Sequence, residues 1–305
     1  MKISVVIPYY NESLTLEKTL KSLIHQTLKP FEILLIDSGS TDDSNLVINN
    51  FISKNNINNI FVHRSGEMTP SSSINLGVKK STSDLIAYVD CGLNIPLNWL
   101  ESNLDLMNAT SFDVVSPQIY TMGNDLIDKS FIAHTYGYQS YTPCLTGSLI
   151  KKDIIKQINY FLPKARANYD IDFFKKINKL GFRRIVNNKI VLKYFGTEYC
   201  KSFKSGIYKI STYSENAWRV NGDIKPYFYI IGLLLLLASI HFNYETIIME
   251  IYFIARGYMI PLIKSSLRIL KNIPLLLLLP FTGLIIDISR IIGYLFLHKA
   301  FNYKG

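Results

Sequence analysis

Short runs of apolar and β-branched residues alternate with amphipathic segments through the first third of the chain. Four such runs lie at Ile3–Ile7, Ile33–Ile36, Ile60–Val62 and Leu85–Val89. Their continuous hydrophobicity is typical of strands buried on both faces of a parallel sheet. The segments between them place apolar residues on one helix face, as at Leu16, Leu20 and Leu23. Strands that alternate with helices in this way predict an α/β fold with a doubly wound, mostly parallel sheet.

Polar residues follow three of these runs directly. Asn11 and Glu12 come shortly after the first run, Asp37 ends the second, and Asp90 ends the fourth. Ligands of doubly wound sheets bind beyond the carboxyl ends of the strands, where such residues gather. We therefore expect the functional site at this edge of the sheet.

The chain changes character at Pro226, after which Leu, Ile, Phe and Tyr dominate. Three hydrophobic segments lie at Tyr227–Phe242, Tyr244–Ile263 and Ile273–Leu297. The first contains no charged residue but is slightly shorter than the roughly 20 residues of a spanning helix. The third contains Asp287 and Arg290, which are spaced to pair on one helix face. These segments predict a membrane-associated helical region, and a buried helical core is the plain alternative.

The basic residues of the tail predict its orientation. Lys264, Arg268 and Lys271 lie between the second and third segments, and loops rich in Lys and Arg stay on the cytoplasmic side of a membrane. The chain enters its first strand at Lys2 without the pattern of a signal peptide, so we expect the sheet domain on the same side. Two spans before the basic loop satisfy both conditions, and the last segment is then a hairpin or an interfacial helix.

Charge and cysteine content narrow the function classes. The formal net charge is +10 over 305 residues, which suits nucleic acid, an anionic membrane surface or a phosphorylated substrate. No basic block with interleaved aromatic residues is present, so we expect no nucleic-acid partner. Lys and Arg are frequent just before the apolar tail, as anionic headgroups would favour, although a solvated charged face explains them equally simply. Three scattered cysteines, Cys91, Cys144 and Cys200, predict reduced thiols without a zinc site.

Two longer motifs resemble the first two strands of family 2 glycosyltransferases. They are Ser4-Val5-Val6-Ile7-Pro8-Tyr9-Tyr10-Asn11-Glu12 and Leu34-Leu35-Ile36-Asp37-Ser38-Gly39-Ser40-Thr41-Asp42. The similarity continues through Asp90 and again at Asp170, over roughly the first 200 residues, and is nearest to exopolysaccharide enzymes of the succinoglycan type. It implies a GT-A fold in residues 1–200, a basic connector in 201–225 and a membrane-associated helical region in 226–305.

The resemblance assigns the donor nucleotide to the residues after the first three strands. Pro8, Tyr9, Asn11 and Glu12 match positions that line the nucleoside pocket, although Pro8 and Asn11 also suit a turn and a helix cap. Asp37 matches the acid that accepts a hydrogen bond from the base, and Ser38 stands where the family often has a second acid. Arg64 matches a region bordering the nucleoside, where a cation also suits the diphosphate.

The family's metal motif, Asp-x-Asp, is incomplete in this chain. The sequence reads Asp90-Cys91-Gly92, so the last acid is missing. The resemblance implies that Asp90 faces the donor and holds a divalent cation, Mg²⁺ or Mn²⁺, through waters and phosphate oxygens. The nearby Asn94 is a weaker, neutral ligand for hard cations.

The family's catalytic motif, Glu-Asp-x-Asp, reads Tyr169-Asp170-Ile171-Asp172 here. Asp170 matches the catalytic base, and Tyr169 replaces the leading Glu. A carboxylate at a helix N-terminus is favoured in its ionised form, so Asp170 should accept a proton near neutral pH. A simple helix cap is the plain alternative for this residue.

The resemblance implies an inverting glycosyltransferase on the cytoplasmic face of the cell membrane. Its donor would be a nucleotide sugar, a UDP-sugar first of all, and its acceptor a lipid-linked or free saccharide in cell-surface polysaccharide synthesis. The Gln-x-x-Arg-Trp motif of processive synthases is absent around Trp218, so we expect one sugar per encounter. Two alternatives stay open: a degenerate protein that binds nucleotide sugars without turnover, and a transferase that charges polyprenyl phosphate directly.

Overall fold

A computed structural model describes residues 1–194, 200, 202–221, 224–241 and 245–295. The chain divides into two compact units. The first comprises Met1–Tyr120 and Tyr141–Gly196, and the second comprises Thr121–Ser140 and Thr197–Gly305. A stretch from the middle of the chain thus belongs to the second unit, whereas the sequence analysis assigned it to a continuous domain over residues 1–200.

The first unit is built on a nine-stranded sheet with the order β3-β2-β1-β4-β8-β6-β9-β5, in which β7 pairs with β6. The strands are β1 Ile3–Tyr9, β2 Glu32–Asp37, β3 Ile60–Arg64, β4 Leu85–Tyr88, β5 Leu93–Asn94, β6 Val114–Thr121, β7 Ser140–Pro143, β8 Leu149–Lys151 and β9 Arg184–Tyr194. β1 to β4 are mutually parallel, and β8 runs antiparallel between β4 and β6. This mixed, largely parallel sheet confirms the predicted fold class.

Helices cover both faces of this sheet. They are α1 Leu16–Ile24, α2 Ser44–Asn55, α3 Pro70–Lys80, α4 Trp99–Thr110, α6 Lys152–Gln157 and α7 Tyr169–Lys179. Side chains of β1 alternate between two hydrophobic clusters: Val5 and Ile7 pack with Leu20 of α1, and Val6 packs with Ile74 of α3. This alternation is why the strands are apolar throughout, since each successive side chain enters a different core.

Three strands extend further than the apolar runs predicted. β1 continues through Pro8 and Tyr9, β2 includes Glu32 and Asp37, and β3 includes Arg64 as its last residue. Helix α1 begins only at Leu16, so Asn11 does not cap it. Asn11 instead has φ 55°, in the left-handed region that Asn tolerates better than most residues.

The second unit is helical. It contains α5 Leu126–Thr135, α8 Phe203–Asn221, α9 Lys225–His241, α10 Glu245–Tyr252, a π-helical segment Phe253–Met259, α11 Ile260–Lys264, a 3₁₀ turn Leu267–Lys271 and α12 Ile273–Tyr294. The mid-chain helix α5 joins the tail through two small clusters, in which Phe131 packs with Ile210 and Ile286, and Ala133 packs with Leu275.

Two of the described helices are long and apolar enough to cross a membrane, Thr246–Lys264 and Ile273–Tyr294. The first predicted segment corresponds to α9, which has 17 residues. The predicted ends Phe242, Tyr244 and Leu297 lie outside the described residues. The two helices support membrane association by length and composition.

Candidate active site

The carboxyl ends of β1, β2 and β3 bring three predicted site residues into one row. Tyr9 is the register partner of Asp37, and Asp37 is the partner of Arg64. Pro8 lies one step earlier, beside Ile36. The row exists because the three parallel strands end at the same level, as the pattern of apolar runs predicted.

Asp37 is held by a dense set of hydrogen bonds. Its Oδ1 accepts from the backbone N–H groups of Gly39 at 3.1 Å and Ser40 at 2.8 Å, and its Oδ2 accepts from Asn45 Nδ2 at 2.9 Å. Burial opposes ionisation of this carboxyl, but these hydrogen bonds outweigh it and hold its pKa below the ordinary value. Asp37 is therefore an ionised acceptor in a fixed orientation.

The loops after β1 and β2 are joined to each other. Asn11 Oδ1 accepts from the Thr41 backbone N–H at 2.8 Å, and the Asn11 N–H donates to Ser40 Oγ at 3.0 Å. Asp42 accepts from the Ser13 N–H at 3.0 Å, and Glu12 donates its N–H to Ser44 Oγ at 2.8 Å. Each loop thus supplies polar groups that the other leaves unsatisfied.

Two acids in these loops respond to their surroundings in opposite ways. Hydrogen bonds from Ser44 and Ser13 outweigh a desolvation penalty and lower the pKa of Asp42 to about 2. Burial and the charges of Asp90 and Asp42 raise the pKa of Glu12, although a hydrogen bond from Thr15 opposes them. Asp42 was not singled out from the sequence, where it reads as one more polar loop residue.

The tyrosines at the end of β1 point in different directions. Tyr9 is only 2% exposed, and its hydroxyl donates to Asn45 Oδ1 at 2.9 Å beneath α2. Tyr10 is 49% exposed. The sequence favoured Tyr9 for donor contact, but alternation along the strand leaves Tyr10 with the accessible ring.

Ser38 and Arg64 complete this half of the site. The hydroxyl of Ser38 is buried and lies 2.8 Å from the hydroxyl of Ser73 on α3. Arg64 is exposed at the end of β3, next to Asp37 in register. Ser38 therefore links β2 to α3, and Arg64 is an accessible cation at this edge.

The turn after β4 carries Asp90. Its Oδ1 accepts a short hydrogen bond from the Tyr88 hydroxyl, which also lies 3.0 Å from the hydroxyl of Tyr169. The Asp90 N–H donates to Thr146 Oγ1 at 2.9 Å. Tyr169, the residue in place of the family's Glu, thus connects the Asp90 turn to the first turn of α7. Sequence reasoning missed Tyr88, because a Tyr inside a buried strand looks like core.

A clamp from α3 fastens the loop that leads into α7. Asn75 donates from Nδ2 to the Phe161 carbonyl at 2.8 Å and accepts from the Phe161 N–H at 2.9 Å. Ser71 Oγ similarly donates to the Ala165 carbonyl at 2.8 Å and accepts from the Ala165 N–H at 3.0 Å. These paired bonds fix where α7, and with it Asp170, begins.

Asp170 lies in the first turn of α7 and is partly buried. Burial raises the pKa of its carboxyl above the ordinary value, although the backbone N–H groups of Ile171 and Asp170 itself partly offset this. A carboxylate with a raised pKa is a stronger proton acceptor than an exposed one. The position of Asp170 at a helix N-terminus alone predicted a lowered pKa. The sequence does not reveal the burial that raises it.

The charges of Asp90 and Asp170 both act on the half-buried thiol of Cys144. Cys144 has a pKa raised first by burial and then by the charges of both acids, with Arg184 opposing them. After burial, the charge of Asp90 also raises the pKa of Glu12, in the loop that follows β1. The Tyr88 hydroxyl, which bonds to Asp90 and lies 3.0 Å from the Tyr169 hydroxyl, links the end of β4 to the turn of α7 that carries Asp170.

The chemistry of these residues fits a divalent cation in a limited way. The described residues contain no group of three or more His, Cys, Asp or Glu side chains arranged to hold a metal ion. Mg²⁺ is commonly bound through one or two carboxylates together with substrate phosphates and waters. Asp90 offers one such carboxylate, so the protein alone supplies a small share of the ligands.

The family model described as "Glycosyl transferase family 2" matches residues 4–185. An uncharacterized glycosyltransferase of Rickettsia conorii is 36% identical over 123 residues, which are 38% of this chain and 20% of the relative. A GalNAc(5)-diNAcBac-PP-undecaprenol beta-1,3-glucosyltransferase of Campylobacter jejuni is 28% identical over 89 residues, 29% of each chain. The matches thus span less than a third of the length of these two relatives.

One solved structure covers nearly the whole chain. It is a mannosyltransferase of Pyrobaculum calidifontis in complex with GDP-Man and Mn²⁺. It has a TM-score of 0.59 and 14% identity, and the alignment covers 99% of this chain and 88% of that one. At 14% identity, this structural similarity supports the GT-A fold alone. Together with the family match over more than half of the sequence, it leads to one assignment: the chain belongs to glycosyl transferase family 2.

Proposed function

We propose that this protein is an inverting glycosyltransferase that moves a sugar from a nucleotide donor to a membrane-linked or saccharide acceptor. The observation that supports the proposal is the link through Tyr88, whose hydroxyl donates to Asp90 and lies 3.0 Å from the hydroxyl of Tyr169, the residue before Asp170. One acid then faces the donor and the other faces the acceptor hydroxyl.

The loops after β1 and β2 are proposed to hold the nucleoside. Asp37 is ionised, fixed by three donors and able to accept a further hydrogen bond from a pyrimidine N–H, which favours a UDP-sugar. Pro8, Asn11, Glu12 and Ser38 shape the surroundings, and the exposed Arg64 offers charge to the diphosphate. Tyr10 is added as a stacking surface because its ring is accessible.

Asp170 is proposed as the general base. The acceptor hydroxyl gives its proton to the Asp170 carboxylate while its oxygen forms a bond to the anomeric carbon. The bond from that carbon to the phosphate oxygen breaks, and the nucleoside diphosphate leaves with the electron pair. Attack from the face opposite the leaving group inverts the configuration. The raised pKa of Asp170 suits the step, because the carboxylate is a better proton acceptor.

We propose that Asp90 would hold a divalent cation when one is bound, and that the cation would supply positive charge to the leaving nucleoside diphosphate. The Pyrobaculum calidifontis structure holds Mn²⁺ with a GDP-sugar and supports this assignment. The hydrogen bond from Tyr88 orients the Asp90 carboxylate, whether that carboxylate contacts the cation or the donor.

The acceptor is proposed to be a lipid-linked saccharide at the cytoplasmic face of the cell membrane, in the synthesis of a surface polysaccharide. Two apolar helices support membrane association. The Campylobacter jejuni relative is named for an undecaprenol-diphosphate acceptor, which supports an acceptor of this class. Direct transfer to a polyprenyl phosphate uses a different acceptor and gives a different product, and analysis of the products in the assay below distinguishes the two.

The test is a turnover assay on membranes that contain the full chain. UDP-, GDP- and dTDP-sugars are supplied with lipid extract and Mn²⁺ or Mg²⁺, and released nucleoside diphosphate and glycosylated products are quantified. One donor should be consumed with inversion. The Asp170→Asn variant should lose about 10²–10⁴-fold in rate, the typical contribution of a general base.

The Asp172→Asn variant is the matched control. Asp172 lies in the same helical turn but forms an ion pair with Lys176 at 2.8 Å. Loss of the Asp172 carboxylate should therefore leave turnover nearly unchanged. Full activity of the Asp170→Asn variant would show that Asp170 is not the general base. Binding of a donor without turnover, with a lipid extract that supports another family 2 enzyme, would favour a nucleotide-sugar binding protein instead.

A further inference from the structure

Two tyrosines and a lysine lie together in the first unit, outside the residues described above. Tyr120 is near the end of β6, Tyr141 is in β7, and Lys193 is near the end of β9. We propose that these three residues, called here the aromatic surface, bind a saccharide ring of the acceptor. The inference rests on the transferase function proposed above and names the place where the acceptor sugar is held.

The two tyrosine rings contact each other and remain accessible. Their centroids are 4.9 Å apart, with an angle of 43° between the ring planes. Tyr141 is 56% exposed, and Tyr120 is half-buried. Aromatic pairs at this separation attract each other, so each ring helps to hold the other in place. The pair therefore offers a fixed apolar surface with phenolic hydroxyl groups at its rim.

Lys193 adds a charged donor to this surface. Its Nζ lies 5.6 Å from the centroid of the Tyr120 ring, within the range of a cation–π contact. Lys193 is exposed, and an ammonium group carries three hydrogen-bond donors. Binding sites of small ligands commonly combine an aromatic wall with a few polar groups. This combination suits a sugar, which has C–H groups on its ring faces and hydroxyl groups around its rim.

The aromatic surface lies on the face of the sheet that α7 covers. Along β6, Ile119 belongs to the core that includes α4. Ser116 lies on the other face, where its hydroxyl accepts from Arg184 Nε at 3.0 Å, and Arg184 Cζ lies 3.6 Å from the centre of the Phe174 ring of α7. Side chains alternate along a strand, so Tyr120, four residues beyond Ser116, is on the face of α7.

The end of α7 that carries the proposed base lies toward the aromatic surface. A short turn joins the end of α7 to the start of β9, and β6 is parallel to β9, so the first turn of α7 lies toward the carboxyl end of β6. Asp170 precedes Phe174 by one helical turn, or roughly 6 Å, and Tyr120 lies roughly 13 Å beyond Ser116. The base and the ring therefore differ by roughly 7 Å along the strand direction, which a short saccharide can bridge.

The strands of the aromatic surface also lead to the surroundings of Asp90. Asn94, in the short strand β5 that follows the Asp90 turn, is the register partner of Lys193. β7 runs into the segment that contains Thr146, whose Oγ1 accepts from the Asp90 N–H at 2.9 Å. A saccharide on this surface would therefore lie beside the acid that is proposed to face the donor.

The donor nucleoside is too far away to use this surface. In the sheet order, four strand spacings separate β2, which ends in Asp37, from β6, which carries Tyr120. At about 4.8 Å for each spacing, the separation is roughly 19 Å. A base held by Asp37 cannot stack on these rings. The acceptor, which must approach Asp170, is the substrate that the position of the aromatic surface suits.

The test is the binding of methyl glycosides of glucose, galactose, mannose and N-acetylglucosamine to the full chain, in a detergent without a sugar headgroup. Titrations followed by saturation-transfer NMR give a Kd for each glycoside, and we expect at least one to bind. The Tyr141→Ala variant should weaken this binding about tenfold, whereas Tyr141→Phe should keep it within about twofold because the ring remains. Failure of every glycoside to bind, or equal binding by Tyr141→Ala, would overturn the assignment.

The Phe31→Ala variant is the matched control. Phe31 is 44% exposed and also has a lysine over its ring, with Lys2 Nζ at 4.1 Å from the centroid. It precedes β2 and therefore lies at the amino edge of the sheet, away from the acids. Its loss should leave glycoside binding unchanged. Equal weakening in Phe31→Ala and Tyr141→Ala would show that exposed aromatic rings bind the glycosides without a specific site, and would also overturn the inference.

Turnover of the same variants assigns the site to one substrate. In Tyr141→Ala, the KM for the lipid extract should rise about tenfold, while the KM for the nucleotide sugar stays unchanged. A rise in the KM for the nucleotide sugar alone would assign the surface to the donor and overturn its acceptor role. If the native chain binds a glycoside through Tyr141 but turns over no donor, the proposed transfer fails and the saccharide site remains.

Discussion

The two halves of the candidate site treat their carboxylates differently. In the half after β1 and β2, Asp37 and Asp42 are surrounded by N–H and O–H donors, which hold their pKa values low. Glu12 is the exception in this half, because burial raises its pKa. In the half between β4 and α7, Asp170 is desolvated with few donors, and its pKa is raised. When two acids lie in environments that shift their pKa values in opposite directions, the acids can take different chemical roles. This difference fits the proposed roles, in which the first half recognises the donor and Asp170 in the second half takes up a proton.

The largest expected effect that sharpens this comparison comes from Asp37→Asn. The new amide would turn an NH₂ group towards the N–H donors of Gly39, Ser40 or Asn45, at a cost of about 2 kcal/mol in unfolding free energy. Urea denaturation at pH 7 measures this loss, and the KM for the donor should rise with it.

The pH dependence provides the control for Asp37. Its folded-state pKa lies below the unfolded value, so its stabilisation is present above the unfolded pKa and is lost as pH falls through the folded pKa. The difference between wild type and Asp37→Asn should therefore shrink in strong acid. A difference that stays constant with pH would mean that shape, and not charge, accounts for the loss.

A second effect, of intermediate size, concerns Tyr88. Tyr88→Phe removes the hydroxyl that orients Asp90 and should raise the Mn²⁺ concentration for half-maximal turnover roughly fivefold, about 1 kcal/mol. Metal titration of turnover measures this change. Tyr169→Phe is the matched control, because it keeps the bond from Tyr88 to Asp90 and should shift the metal requirement less. Equal shifts in both variants would show that the hydroxyl pair acts as a unit.

The smallest expected effect is a stability gain in Asp170→Asn. A carboxyl whose folded-state pKa is raised destabilises the fold as pH rises from its unfolded pKa through its folded pKa. Asn removes that charge, so the thermal midpoint at pH 7 should be equal to or above that of wild type, while turnover is lost. A midpoint several degrees lower would mean that the carboxylate has partners that stabilise it, and the proposed contrast between the two halves would fail.

The sequence predicted most of what depends on local pattern. The apolar runs predicted β1 to β4, and the acids at their ends, Asp37 and Asp90, lie at the carboxyl edge as expected. Helix α7 begins at Tyr169, close to the predicted start. These features follow from periodicity over a few residues and from the geometry of parallel strands.

Contacts between distant parts of the chain were beyond sequence reasoning. Asn75 bonds twice to Phe161 across 86 positions, and no local pattern around Asn75 indicates this contact. The burial that raises the pKa of Asp170 and the placement of α5 with the tail helices depend on tertiary packing. Local patterns in a single sequence do not predict which distant loop a side chain will contact.

Helix α3 has a consequence for how this enzyme can change over evolution. Ser73 contacts the strand end that is proposed to hold the base, while Ser71 and Asn75 fasten the loop before Asp170. Gly77 lets the same helix press so closely on β1 that a Cβ would meet Val6 Cγ1 at 2.3 Å. Helix α3 thus contacts both the strand end proposed to hold the donor and the loop before the proposed base. Drift in α3 would alter both substrates at once, so new specificities are more accessible through the surface loops than through this helix.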